Sequence, residues 1–170
     1  MGTSEGLDVE PIRLVTKSPE ETVELGAQFV RLCRASDVIG LQGTLGAGKT
    51  CFVKGMARGL GVKNLRAVTS PSFVLLHQYK GKLTLHHFDA YRLEDSRQLE
   101  EVGCEEIFHS GGVSVVEWAN HVAGCLPREH FLVTIRMAGE SCRDFLITAC
   151  GKGPLARLRG IFAALEDWEE

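Results

Sequence analysis

The sequence predicts a single α/β domain in which a mixed central sheet carries helices on both faces and antiparallel hairpins fill the later half. Three observations lead there. Short apolar runs alternate with helical periodicities early in the chain, glycine-centred turns join paired strand-like runs later, and a glycine-rich loop lies between an early strand and an early helix. The 170 residues are 44% hydrophobic and 24% charged, the proportions of one globular domain over 1–170. Folding at this length removes roughly 68–70% of the unfolded chain's surface from water, so a core can form without metal or disulfide staples.

Ile12–Thr16 reads as a short strand. In Ser18-Pro19-Glu20-Glu21 a side-chain acceptor stands at the N-cap, proline at the first helical position and glutamate at N3, so a helix starts there. Its apolar positions Val23, Ala27, Val30 and Cys33 recur at helical spacing, and Ser36-Asp37 ends it before a second strand, Val38-Ile39-Gly40-Leu41. Gly43 to Thr50 leads into a helix over Cys51–Leu60, which Gly61 stops. Phe73–Tyr79 and Leu83–Phe88 flank Lys80-Gly81-Lys82 as a hairpin. A polar helical stretch covers Asp95–Phe108, and Gly111-Gly112 introduces the strand Val113-Ser114-Val115-Val116. Phe131–Met137 and Phe145–Ala149 make a second hairpin through Gly139. The last helix, Pro154–Trp168, covers the sheet with Leu155, Leu158, Ile161, Phe162 and Leu165. Residues 1–10 are expected to be flexible.

Charge and composition exclude several roles. A net charge of −3 gives no broad basic footprint for DNA, and any contact with RNA would lean on a partner. No apolar run approaches the about 18 residues that span a bilayer, and the polar, acidic start lacks the pattern of a signal peptide, so a cytoplasmic, membrane-free protein is expected. Six cysteines without a C-x-x-C pair are expected to stay reduced. His86 and His87 are adjacent in a strand and point to opposite faces, which argues against one shared metal site. Lys54, Arg58, Lys63 and Arg66 read as a solvated surface.

The segment Gly43-Thr44-Leu45-Gly46-Ala47-Gly48-Lys49-Thr50 meets every fixed position of G-x-x-x-x-G-K-[ST], between a strand and a helix as a phosphate loop requires. Gly46 and Gly48 permit backbone turns closed to other residues and bring N–H groups to phosphate oxygens, while the helix that follows aims its positive end at the same place. Lys49 supplies charge to the β- and γ-phosphates, and the Thr50 hydroxyl suits magnesium, which prefers hard oxygens. The domain is therefore expected to be P-loop NTPase-like. Such a loop needs an acid at the end of a neighbouring strand. Glu117, after Val113–Val116, and Asp89, after Leu83–Phe88, are the candidates. Thr69-Ser70-Pro71-Ser72 falls where such proteins place a loop that senses the γ-phosphate.

Taken together with Thr69-Ser70-Pro71-Ser72-Phe73, His87-Phe88-Asp89-Ala90-Tyr91-Arg92-Leu93 and Val116-Glu117-Trp118, the loop resembles the TsaE (YjeE) family of bacterial ATPases in tRNA threonylcarbamoyladenosine biosynthesis. The resemblance begins at Pro19-Glu20-Glu21-Thr22 and covers nearly the whole chain. It implies a small ATPase, dependent on ATP and Mg²⁺, that works with TsaD and TsaB and meets tRNA through them. By the same resemblance, the partners would transfer the threonylcarbamoyl group and ATP turnover would reset or sustain their assembly. Carried over by position, Gly43, Thr44, Leu45, Gly46, Ala47, Gly48, Lys49, Thr50 and Cys51 would bind nucleotide. Lys49 would hold phosphates, Thr50 and Glu117 magnesium, and Asp89 the metal or attacking water. Trp118 would lie beside the nucleotide, and Thr16–Glu21, with Glu21 itself, near the adenine. This chain has Thr44, Cys51 and Ala119 where the family commonly has Asp, Thr and Pro.

Three rivals share the phosphate loop. A small-molecule or nucleotide kinase would need an acceptor pocket and an arginine-bearing lid, and no clear lid is present, although Arg92 and Arg97 could serve. A GTPase would need Asn-Lys-x-Asp to read guanine, and that segment is absent. A nucleotide sensor without hydrolysis would use Glu117 structurally.

Overall fold

Val38–Gln42, Leu85–Asp89 and Val113–Glu117 are buried almost end to end, a pattern that belongs to strands covered on both faces. The computed structural model describes residues 10–165 and places these three side by side in a seven-stranded sheet. Its strands are β1 (Ile12–Thr16), β2 (Val38–Gln42), β3 (Leu76–Tyr79), β4 (Leu85–Asp89), β5 (Val113–Glu117), β6 (His130–Met137) and β7 (Arg143–Cys150), in the order β1-β7-β6-β2-β5-β4-β3. β6, β2, β5 and β4 run parallel, while β7, β1 and β3 add antiparallel edges. Both expected hairpins, β3–β4 and β6–β7, are present.

Alternation along the strands sends side chains into two cores. Ile39, Leu41, Val113 and Val115 meet α1 (Pro19–Arg31), α2 (Lys49–Gly59) and α5 (Lys152–Leu165) on one face. Val38, Phe88 and Val116 meet α3 (Arg97–Glu101), α4 (Cys104–Phe108) and a 3-10 segment, Ala119–Cys125, on the other. Phe29, Phe52, Phe131 and Phe145 form a chain of ring contacts in the first core, with centroids 5.7–6.1 Å apart.

Ser18 caps α1 by accepting from Glu21 N at 3.1 Å, as its position predicts, while the Glu21 carboxylate reaches past the cap to Lys17 N at 2.6 Å. Arg157 grips Asp37 through two bonds of 2.8 and 2.9 Å and so ties α5 to the turn before β2. α1 and α2 touch backbone to backbone: a Cβ on Gly55 would lie 2.0 Å from Val23 O, and one on Gly26 would lie 2.3 Å from Phe52 O.

Four expectations need correction. β3 begins at Leu76, not Phe73, because Leu75 takes a left-handed φ of +69° that no strand continues through. The stretch Asp95–Phe108 splits into two short helices at Gly103, whose φ is +84°. α2 opens at Lys49, inside the glycine-rich loop, not at Cys51. Phe162 is exposed while Leu158, Ile161 and Leu165 are buried, so the covering stripe of α5 is narrower than the apolar pattern. The expected flexible start up to Val9 and the end of the last helix past Leu165, with its acidic tail, lie outside the described residues.

Candidate functional site

The glycine-rich loop leaves the carboxyl end of β2, in the crevice where open parallel sheets place their ligand sites. Leu41, Glu117 and Asp89 stand in one row across β2, β5 and β4, so both acids emerge at strand ends beside the loop. Gly46 and Gly48 adopt φ of +80° and +104°, which carry the chain round and into α2. A cavity of about 440 Å³ results, lined by Gly46, Lys49, Thr50, Asp89, Glu117 and Trp118 among others.

Within it Lys49 is nearly buried. Its Nζ donates to Gly43 O at 2.7 Å and Thr44 O at 2.9 Å, and lies 4.2 Å from the centre of the Trp118 ring. Burial pulls the lysine below its ordinary pKa, opposed by the nearby Glu117 and Asp89 carboxylates. Thr50 Oγ1 donates to Glu117 Oε1 at 3.1 Å, and His87 Nε2 donates to Glu117 Oε2 at 2.6 Å. Asp89 is held on both oxygens, by Tyr91 N at 2.8 Å and by the Ser70 hydroxyl. Asp89 thus links the strand end to the Thr69–Phe73 segment.

Trp118 takes a left-handed φ of +57°, costly for a bulky side chain, immediately after Glu117. The turn is fixed by Ala90 N to Glu117 O at 3.0 Å and His121 N to Trp118 O at 2.9 Å. It turns the indole between Tyr91 and His121, with centroids 5.1 and 5.3 Å away, and over Lys49. The Thr50 hydroxyl and the carboxylates of Glu117 and Asp89 are hard oxygens on one cavity, a donor set that suits magnesium. The 3.1 Å contact already brings together two oxygens that a shared cation would need.

Leu45, Gly48 and Cys51 line the same cavity, as do Ser70, Ser72 and Tyr91, whereas Gly43, Thr44, Ala47 and Glu21 do not. Gly43 and Thr44 serve through their carbonyls toward Lys49, and Ala47 is buried beneath the loop. Cys51 Sγ donates to Pro19 O at 3.3 Å, which brings the start of α1 against the start of α2. Ala119 is buried against Gly40, where a Cβ would stand 3.1 Å from it. His86 contacts Gln78 and Ser110, away from Glu117, in keeping with the opposite facing of the two histidines.

Arg143 joins the site without any local sequence signal. From β7 its Nε donates to Ala47 O at 2.9 Å and its Nη2 to Gly46 O at 3.3 Å. The role of His87 was legible only in part: it shares a strand face with Asp89, two residues on, but nothing local points it at Glu117. A larger cavity, about 720 Å³, lies apart from the loop between α4 and the 3-10 segment. It holds Cys104 and Cys125, and burial raises both thiols, Cys125 to about 12, so neither is poised as a nucleophile.

A family model described as threonylcarbamoyl adenosine biosynthesis protein TsaE matches residues 16–145. The chain belongs to the TsaE family. The tRNA threonylcarbamoyladenosine biosynthesis protein TsaE of Bacillus subtilis is 42% identical over 137 residues, 80% of this chain and 84% of that protein. The protein of the same name from Treponema pallidum is 40% identical over 136 residues, 80% of this chain and 99% of its own length. The crystal structure of Bacillus subtilis YdiB superposes with a TM-score of 0.77 at 34% identity, covering 95% of this chain and 98% of that one. The fold and the TsaE family are thereby shared across both the loop and the strands that carry Asp89 and Glu117. Among the described residues no helix is long and apolar enough to cross a membrane.

Proposed function

We propose that this TsaE-family chain is a magnesium-dependent ATPase that acts in the cytoplasm with TsaD and TsaB in threonylcarbamoyladenosine modification of tRNA. One observation carries the reading: Lys49, Thr50, Asp89 and Glu117 converge on one cavity at the mouth of a glycine-rich loop. That combination serves phosphoryl chemistry and has no evident use in a purely structural turn. Glycine-rich backbone and the start of α2 would cradle the phosphates, and Lys49 would exchange its loop carbonyls for phosphate oxygens. Thr50 and Glu117 would hold magnesium, which supplies charge neutralisation on the phosphates. Asp89, tied to Ser70, would connect the state of the phosphates to the Thr69–Phe73 segment. The exposed Phe73 ring, with Arg92 4.2 Å from its centre, lies at the end of that segment, where a change could be presented to a partner.

ATP is preferred over GTP because the chain lacks Asn-Lys-x-Asp. Phosphate release from ATP and Mg²⁺, measured with and without TsaD and TsaB, tests the proposal. Turnover raised by the partners supports it. A phosphorylated small molecule would instead indicate a kinase, and tight binding without turnover a sensor. Loss of threonylcarbamoyladenosine from tRNA in depleted cells tests the biological role.

A further inference from the structure

We infer that His87 is a positioning residue for the nucleotide-bound magnesium, setting the Glu117 carboxylate so that Oε1 faces Thr50; this rests on the ATP and magnesium reading above. His87 and Glu117 lie on neighbouring parallel strands and on the same sheet face, with Glu117 two residues beyond the residue that pairs with His87. Both are buried, at 0% and 2% exposure, so their contact is largely shielded from bulk solvent. A carboxylate only accepts, so His87 Nε2 carries the proton in the 2.6 Å bond to Glu117 Oε2. The other oxygen, Oε1, is thereby turned toward the Thr50 hydroxyl.

The packing of the histidine suits this single task. Its Nδ1 is buried without a hydrogen-bond partner, so the ring makes one polar contact and spends it on Glu117. The Tyr79 ring packs beside it at a centroid distance of 6.2 Å and restricts its rotation. A buried polar atom left unpaired is costly, which argues against a ring retained for packing alone. Hydrogen bonds of this kind orient a ligand and raise its hold on a metal, and their loss typically costs about 10–100-fold in metal affinity.

The test compares nucleotide binding by the full chain, by calorimetric titration with ATP, in excess Mg²⁺ and in chelator. His87→Leu removes the donor while keeping bulk; His87→Gln keeps an N–H at the reach of Nε2. For His87→Leu the advantage that Mg²⁺ gives to ATP binding should fall by about tenfold or more. Binding in chelator should stay within about twofold, and His87→Gln should recover most of the loss. The inference is overturned if His87→Leu keeps the wild-type Mg²⁺ advantage, or loses affinity equally in both conditions. Should His87→Leu fail to fold, His87→Asn, whose amide falls short of Glu117, takes its place with the same expectation. Wild-type protein that shows no Mg²⁺ advantage would instead sink the ATP and magnesium reading itself, and the inference with it.

Discussion

Arg143 and Ala47 are separated by 96 residues, yet the guanidinium Nε donates to the Ala47 carbonyl at 2.9 Å. In a trans peptide the N–H of the next residue points opposite that carbonyl, so the bond sets the direction of the Gly48 N–H. The same side chain takes Gly46 O at 3.3 Å and Cys142 O at 2.8 Å, fastening the loop to the β6–β7 turn.

Arg143→Ala should therefore weaken ATP binding about tenfold, equally in Mg²⁺ and in chelator, because it loosens the phosphate cradle and leaves the metal ligands alone. Binding titrations under both conditions check this. A loss confined to Mg²⁺ would contradict the assignment of Arg143 to the loop.

How much of this site was legible in the chain depends on where each requirement originates. The glycine-rich loop could be read because phosphate cradling demands glycine, lysine and threonine at fixed local spacing. Asp89 and Glu117 could be read because an acid that ends a buried strand is conspicuous. Arg143 could not, since its function depends on which strand returns beside the loop, a matter of tertiary pairing. The same holds for His87, whose partner stands on another strand. Leu75 and Trp118 adopt left-handed φ although neither is a residue type that favours it, so no local signal announces those turns. The break at Gly103 was within reach, since a glycine inside a polar helical stretch is a possible stop.

Close approach of α1 and α2 gives a stability prediction. A methyl on Gly55 would meet Val23 O at 2.0 Å, and backbone cannot move aside as a flexible side chain can. Gly55→Ala should destabilise the fold by about 1–3 kcal/mol or more despite the better helix propensity of alanine. In a chain of this size that corresponds to a fall of about 2–4 °C in melting temperature per kcal/mol. Thermal unfolding checks it; an unchanged melting temperature would mean that the helices pack less closely.

Lys49 and Trp118 offer an optical readout. The ammonium lies 4.2 Å from the indole centre while it donates to Gly43 and Thr44, and a phosphate that draws it away alters the field at the ring. ATP should change Trp118 emission. The protein has a second tryptophan, Trp168, so the measurement is made on Trp168→Phe as the reference. Lys49→Ala should abolish the change and weaken ATP binding by about 1.5–3 kcal/mol, the worth of a hydrogen bond to a charged group. An unaltered titration in that variant would refute the placement of the phosphates.

Glu117→Gln isolates the carboxylate charge with almost no change of shape. The Nε2–H of His87 demands an acceptor, so the new amide should turn its oxygen toward His87 and its NH₂ toward Thr50. Thr50 can adapt, because a hydroxyl accepts as readily as it donates, and the fold should keep its stability to within about 1 kcal/mol. The atom facing the magnesium position is then an N–H donor instead of an anionic oxygen, which a hard cation rejects. Mg²⁺-dependent ATP binding and hydrolysis should both be lost while binding in chelator persists. Retained Mg²⁺-dependent turnover in Glu117→Gln would shift the metal role to Asp89, whose two oxygens accept from Ser70 and Tyr91 N.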